Sequence, residues 1–152
     1  RRQPSSTLFP YTTLFRSVQG LIPSAKIYED DDFLAFLDIR PANHGHVLII
    51  PKVHAERVTD LPESILSREL VLAARIAPAV LAATGMTDFN LFNTNGAASG
   101  QEVFHHHLHV IPRKAGDGMK LSIDPQTYRE GEMAEVAGAI RRRLDLREPG
   151  ES

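Results

Sequence analysis

The chain has 152 residues, 42% hydrophobic and 24% charged, a composition that fits one globular domain and excludes a disordered chain. A formal charge of −2 removes the basic face that sequence-independent nucleic-acid binding needs. The absence of cysteine excludes a disulfide scaffold, a thiolate zinc finger and a cysteine nucleophile, and no apolar run approaches the roughly 18 residues of a membrane span.

Arg1 to Ser17, RRQPSSTLFPYTTLFRS, contains no acidic residue. Pro4 and Pro10 interrupt it, so it lacks the apolar core of about 7–15 residues that a secretory signal carries. A transit peptide is one alternative. Thr7 to Ser17 looks instead like the in-frame translation of a common DNA-sequencing adapter. Residues 1–17 are therefore expected to be foreign to a single domain spanning 18–152.

Lys26 to Tyr28 is the first expected strand, ended by the acidic run Glu29 to Asp32. Phe33 to Ile39 is the second, and Pro41 to Gly45 has turn chemistry. His46 to Ile50 is a β-branched third strand closed by Pro51. Asp60-Leu-Pro-Glu63 has the form of a helix N-terminal capping box. From there to Ala83, the apolar residues Ile65, Leu66, Leu70, Val71, Ile76 and Val80 recur at helical spacing, Pro78 predicts a kink, and Gly85 fits a C-terminal cap. Asp88 to Asn93 is a fourth strand, Asn95 to Gly100 a loop of small residues, and Val103 to Ile111 a fifth strand stopped by Pro112. Gly131 to Leu146 is a second helix with Met133, Val136, Ala137, Ile140 and Leu144 on one face and Arg141 to Arg143 on a solvated one. The irregular alternation of strands with one long helix predicts an α+β fold with an antiparallel sheet of about five strands, rather than a βαβ repeat.

Four of the seven histidines fall between His105 and His109. Alternate strand residues share a face, so His105, His107 and His109 are expected to line up about 7 Å apart, with His106, Leu108 and Val110 pointing the other way. Imidazoles this close oppose one another's protonation, which helps keep one neutral and nucleophilic near pH 7. The loop Gly96 to Gln101 is small enough for backbone N–H groups to approach an anion. A tag fragment, a histidine metal site and a functionless polar strand are the alternatives. The first is disfavoured by the internal, apolar-flanked position, and a catalytic metal by the absence of cysteine or a nearby carboxylate pair.

The run His105 to Ile111, in which histidines alternate with other residues and end in an apolar pair, resembles the motif of the histidine triad (HIT) superfamily. His106 departs from the apolar preference at its position; facing away from the site, it is expected to be tolerated. Ile22 to Asp31, Leu34 to Ile39, Gly45 to Lys52 and Gly100 to Val103 match the family pattern in order and spacing, so the resemblance covers about residues 20–113.

The resemblance implies a HIT-like fold and attack on the α-phosphate of a purine nucleotide. His107 is then the nucleophile, forming a covalent nucleotidyl-histidine intermediate that water resolves. His109 contacts the phosphate and helps protonate the leaving group, while His105 and His46 complete the polar network. Gln101 and the Val103 backbone hold phosphate oxygens, Asp38 binds the ribose, Ile22, Phe36 and Ile39 form the slot for the base, and Asn93 or Asn95 meets the ribose–phosphate edge. The leaving group is a phosphoramidate, acyl phosphate or polyphosphate. The alternatives are a non-catalytic nucleotide sensor and a simple metal-binding module. No resident cofactor is expected in the chain as it stands. Many bacterial members carry a structural zinc held by an N-terminal Cys-x-x-Cys, a histidine after the Pro-Lys motif and the first triad histidine. Here His54 and His105 stand at the last two positions, and the cysteine positions fall near Thr12 and Phe15. A cytoplasmic homodimer that binds neither nucleic acid nor membrane is the remaining expectation.

Overall fold

A computed structural model describes residues 25–120 and 123–144. The expected foreign leader and Ile22 lie outside the described residues. The chain divides into two compact units, Arg1–Met119 and Lys120–Ser152.

The first unit is built on five strands, β1 (Lys26–Glu29), β2 (Phe33–Leu37), β3 (Val47–Pro51), β4 (Asp88–Phe92) and β5 (Leu108–Arg113). They form one antiparallel sheet in the order β1-β2-β3-β5-β4, as the α+β expectation holds. Helix α1 (Glu63–Thr84) connects β3 to β4. Strands β2 and β3 are apolar at nearly every position because both faces of the sheet centre are covered. Phe33, Ala35, Val47, Ile49 and Val110 pack with Leu72, Ala73, Ile76, Ala77 and Val80 of α1. On the opposite face Leu34, Phe36, Leu48 and Ile50 cluster with Val103. The register pairs Phe36 with Leu48 and Leu48 with His109. His109 therefore belongs to the face turned away from α1.

Two local expectations are corrected. Asp60 does not cap α1. Its carboxylate accepts the Arg57 N–H at 3.0 Å and closes a short 3-10 turn, Val58–Asp60. Leu61 is extended, as a residue before proline tends to be, and α1 starts after Pro62. The helix runs on through Pro78; Ala74 and Pro78 are both exposed, so the carbonyl that loses its N–H partner faces solvent. The buried stripe of α1 is Glu69, Leu72, Ala73, Ile76, Ala77 and Val80, whereas Leu66, Leu70 and Val71 are exposed. Gly85 caps the helix as expected, in the left-handed region at φ 68°, its N–H donating to the Leu81 carbonyl. Among the described residues no helix is long and apolar enough to cross a membrane.

In the second unit, α2 (Glu132–Arg143) is shorter than the expected Gly131–Leu146. It buries none of its residues, and Met133, Val136, Ile140 and the following Leu144 are exposed.

Candidate active site

The histidine run does not lie wholly on a strand. β5 begins at Leu108, five residues later than the expected Val103. Pairing stops on both sides: β4 ends at Phe92, opposite His109, and the register with β3 ends at Ile49, opposite Leu108. The polar groups of residues 103–107 bond elsewhere. The His106 N–H donates to the Ala55 carbonyl at 2.6 Å, and the His107 carbonyl accepts the Asn93 side-chain amide at 2.8 Å. The bend draws the rings closer than an extended strand would. His107 and His109 stand edge to face with ring centres 4.8 Å apart, and His46 joins His109 at 5.0 Å.

Hydrogen bonds fix which nitrogen carries each proton. The Nδ1 of His107 lies 2.7 Å from the His105 carbonyl oxygen, which can only accept. The proton of the neutral ring is therefore on Nδ1, and Nε2 keeps its lone pair. The Ala42 N–H donates to His46 Nδ1 at 3.1 Å, so His46 donates from Nε2 to His109 Nδ1 at 2.8 Å. His109 is left with its hydrogen on Nε2. A nucleophilic nitrogen on one ring and a donor on the next stand side by side, as displacement at a phosphorus centre needs.

Electrostatics favours these neutral forms. Burial holds His107 and His46 below the ordinary imidazole range, opposed at His107 chiefly by its bond to the His105 carbonyl and at His46 by Asp38. Burial does the same to His105, opposed by its bond to the Pro51 carbonyl. Burial, and then repulsion from His107 and His46, lowers His109 to about 3. An anion seated among the rings would reverse the repulsion.

The turn that delivers His46 depends on Gly45. Its φ is +91°, and a Cβ there would stand 2.5 Å from the Thr84 Cγ2. Thr84 cannot easily give way, since its hydroxyl donates to the Val80 carbonyl at 2.8 Å. Leu37, Asp38, Pro41, His44, Gly45 and His46 line a cleft of about 270 Å³ beside the rings. Asp38 is half-buried, its carboxylate 3.7 Å from His46 Nδ1 and accepting the Arg40 N–H. Phe36 is buried beneath this face, while Ile39 is exposed.

Gln101 is buried and closes the small-residue loop. Its Oε1 accepts the Gly96 N–H at 2.6 Å, and its amide donates to the Glu56 and Val103 carbonyls. Gly96 itself takes φ +97° with the Arg57 guanidinium packed over it. Asn93 serves the His107 carbonyl, and Asn95 links Asn93 to the Val58 N–H. One polar residue near the triad escaped the sequence reading. Glu69, on the buried stripe of α1, meets the His106 ring on the far side of the sheet. The signal was there: an acid three and four residues before Leu72 and Ala73 shares their face.

Among the described residues, two groupings could hold a cation. The Nδ1 atoms of His54 and His105 are 3.1 Å apart, close to the roughly 3.3 Å between ligand atoms of a tetrahedral zinc with bonds of about 2.0–2.1 Å. The His105 Nε2–H, bonded to the Pro51 carbonyl at 2.8 Å, supplies the orienting contact typical of a ligating imidazole. Asp38, His46 and His109 offer three ligand atoms within 4.8 Å of one another. That spacing is wider, and binding there would break the His46–His109 bond.

The chain matches the HIT domain family model over residues 19–116. It is 38% identical over 143 residues to adenylylsulfatase HINT3 of Arabidopsis thaliana, covering 92% of this chain and 73% of that protein. It is 39% identical over 97 residues to adenosine 5'-monophosphoramidase HNT1 of Saccharomyces cerevisiae, covering 64% and 59%. The crystal structure of SMU.412c from Streptococcus mutans superposes with a TM-score of 0.82 at 32% identity, covering 95% of this chain and 92% of that one. With His107 and His46 gathered around His109 on the sheet face opposite α1, the chain belongs to the histidine triad family.

Proposed function

We propose that this protein is a nucleotide hydrolase that cleaves a purine nucleotide derivative at its α-phosphate through a nucleotidyl-histidine intermediate. The observation that carries the reading is the paired tautomers: a lone pair on His107 Nε2 beside a hydrogen on His109 Nε2. Two relatives named as an adenylylsulfatase and an adenosine monophosphoramidase support a leaving group attached to adenylate through nitrogen or oxygen.

In this reading His107 Nε2 attacks phosphorus, a P–N bond forms and the bond to the leaving group breaks. The bound anionic phosphate raises the proton affinity of His109, which then gives a proton to the departing atom. Water attacks the nucleotidyl-histidine, releases the nucleoside monophosphate and frees the ring. Asp38 accepts from the ribose hydroxyls, the Phe36 and Ile39 side receives the base, and the loop closed by Gln101, with the Val103 backbone, cradles the phosphate. Asn93 and His105 hold the nucleophile's peptide and ring.

His54 and His105 would supply two ligands of a structural zinc; the chain contains no cysteine to complete it in the way the family resemblance implies. Metal analysis of the purified protein tests this. A second copy would pair along β4, an edge strand whose Phe89, Leu91 and Phe92 are exposed. The function itself is tested with adenosine 5'-phosphoramidate: His107→Ala should abolish turnover while adenosine monophosphate still binds. A variant that turns over at the parental rate would remove His107 as nucleophile, and parental protein that binds nucleotide without turnover would favour the sensor.

A further inference from the structure

Two buried ionisable groups have no part in the chemistry above. His106 and Glu69 are 1% and 3% exposed, and the His106 Nε2 lies 3.0 and 2.9 Å from the two carboxylate oxygens. Glu69 stands on the core stripe of α1, directly before Leu72 and Ala73 in helical spacing. Desolvating such a pair is costly, and apolar side chains of the same shape commonly serve a core as well or better. Stability alone therefore gives no reason for it.

The bonds leaving the pair lead to the nucleophile. A carboxylate accepts, so His106 donates from Nε2 and turns Nδ1 toward the Asn93 amide at 3.4 Å. The same amide donates to the His107 carbonyl at 2.8 Å. Its oxygen is held by Asn95, which in turn accepts the Val58 N–H at 2.8 Å. His107 precedes the first residue of β5, and neither the register with β3 nor that with β4 includes it. Asn93 holds its carbonyl, and one peptide earlier the His106 N–H is held by the Ala55 carbonyl.

We infer that Glu69 and His106 are positioning residues for the nucleophile: acting through Asn93, the buried pair sets the peptide that carries His107. The inference rests on the reading of His107 as nucleophile.

Three variants of the full chain, with melting temperature, kcat and KM for adenosine 5'-phosphoramidate, test it. In His106→Gln the amide N–H still reaches Glu69, but a methylene replaces the acceptor for Asn93. Its melting temperature should stay within a few degrees of parental while kcat falls about tenfold or more and KM stays within about threefold. Glu69→Gln keeps an acceptor for His106 and should hold kcat within about threefold. The double variant E69L/H106F should melt at or above either single change, with kcat still low. Parental kcat in H106Q or in the folded double variant would overturn the inference, as would a loss in E69Q as large as that in H106Q. If the double variant does not fold, H106Q and E69Q decide. His107→Ala in parallel separates the two levels. Parental turnover in H107A sinks the nucleophile reading itself, whereas an inactive H107A beside a fully active H106Q removes only the positioning role.

Discussion

At the scale of single residues, the site works by keeping imidazoles neutral and telling their nitrogens apart. Burial lowers the proton affinity of His46, His105, His107 and His109, and backbone partners select the tautomers. A depressed pKa keeps His107 in its neutral, nucleophilic form even somewhat below the ordinary imidazole value of about 6.5. Turnover should thus be level through neutral pH and fall only as pH drops below that value; kcat/KM measured between pH 4 and 8 checks this, and an acid limb centred at 6.5 or above contradicts it. His46 has a different task. It holds the His109 hydrogen on Nε2 by donating to Nδ1. His46→Phe should lower kcat roughly tenfold to a hundredfold while leaving nucleotide affinity within about threefold, a split that steady-state kinetics and AMP titration resolve.

At the scale of elements, strand and helix existence was legible because apolar runs such as FLAFL and VLIIP, bounded by acids, glycine and proline, have few other solutions. Boundaries were less so. Val103 to His107 has strand-like composition, yet a strand needs paired neighbours, and the registers with β3 and β4 stop at Leu108 and His109. The face of α1 was misread for a related reason: its core stripe contains Glu69 and two alanines, while Leu66, Leu70 and Val71 sit outside it. Hydrophobicity ranks residues, but only packing reveals that a buried acid has a partner across the sheet. Turn chemistry at Gly45 was readable, and its steric reason was not. Ala at this position combines a left-handed backbone with a contact of 2.5 Å to Thr84. Gly45→Ala should cost about 1–3 kcal/mol in chemical unfolding and should lower turnover, because His46 follows directly.

At the scale of the whole molecule, a polar knot ties the end of β5 to the turn before β3. Asp117 accepts from Arg113 Nε at 2.6 Å, from Asn43 at 2.9 Å and from the Met119 N–H at 3.0 Å, and Asn43 also donates to the Pro112 carbonyl. The Arg113 guanidinium, foremost among these, holds the Asp117 carboxyl far below the usual carboxylate range. Its contribution is present above the unfolded value of about 3.9 and is lost as pH falls toward the folded one. The buried imidazoles act in the same direction from a higher starting point. They take up protons on unfolding once pH drops below about 6.5. The melting temperature should therefore fall as pH is lowered from 7 to 4. Replacing His109 by Gln should flatten that slope, and Asp117→Asn should lower the melting temperature by a few degrees at pH 7; a curve level down to pH 4 would contradict this account.

The central claim is that His107 Nε2 carries the nucleotide between the two chemical steps. Acid-labile and base-stable, a P–N bond to imidazole survives an alkaline quench, so intact-mass and peptide mass spectrometry after millisecond mixing with adenosine 5'-phosphoramidate read it directly. The account predicts an adenylyl adduct on the His107 peptide that forms and decays with turnover and is missing in His107→Ala. An adduct on another residue, or turnover at full rate with no adduct at any mixing time, would contradict it.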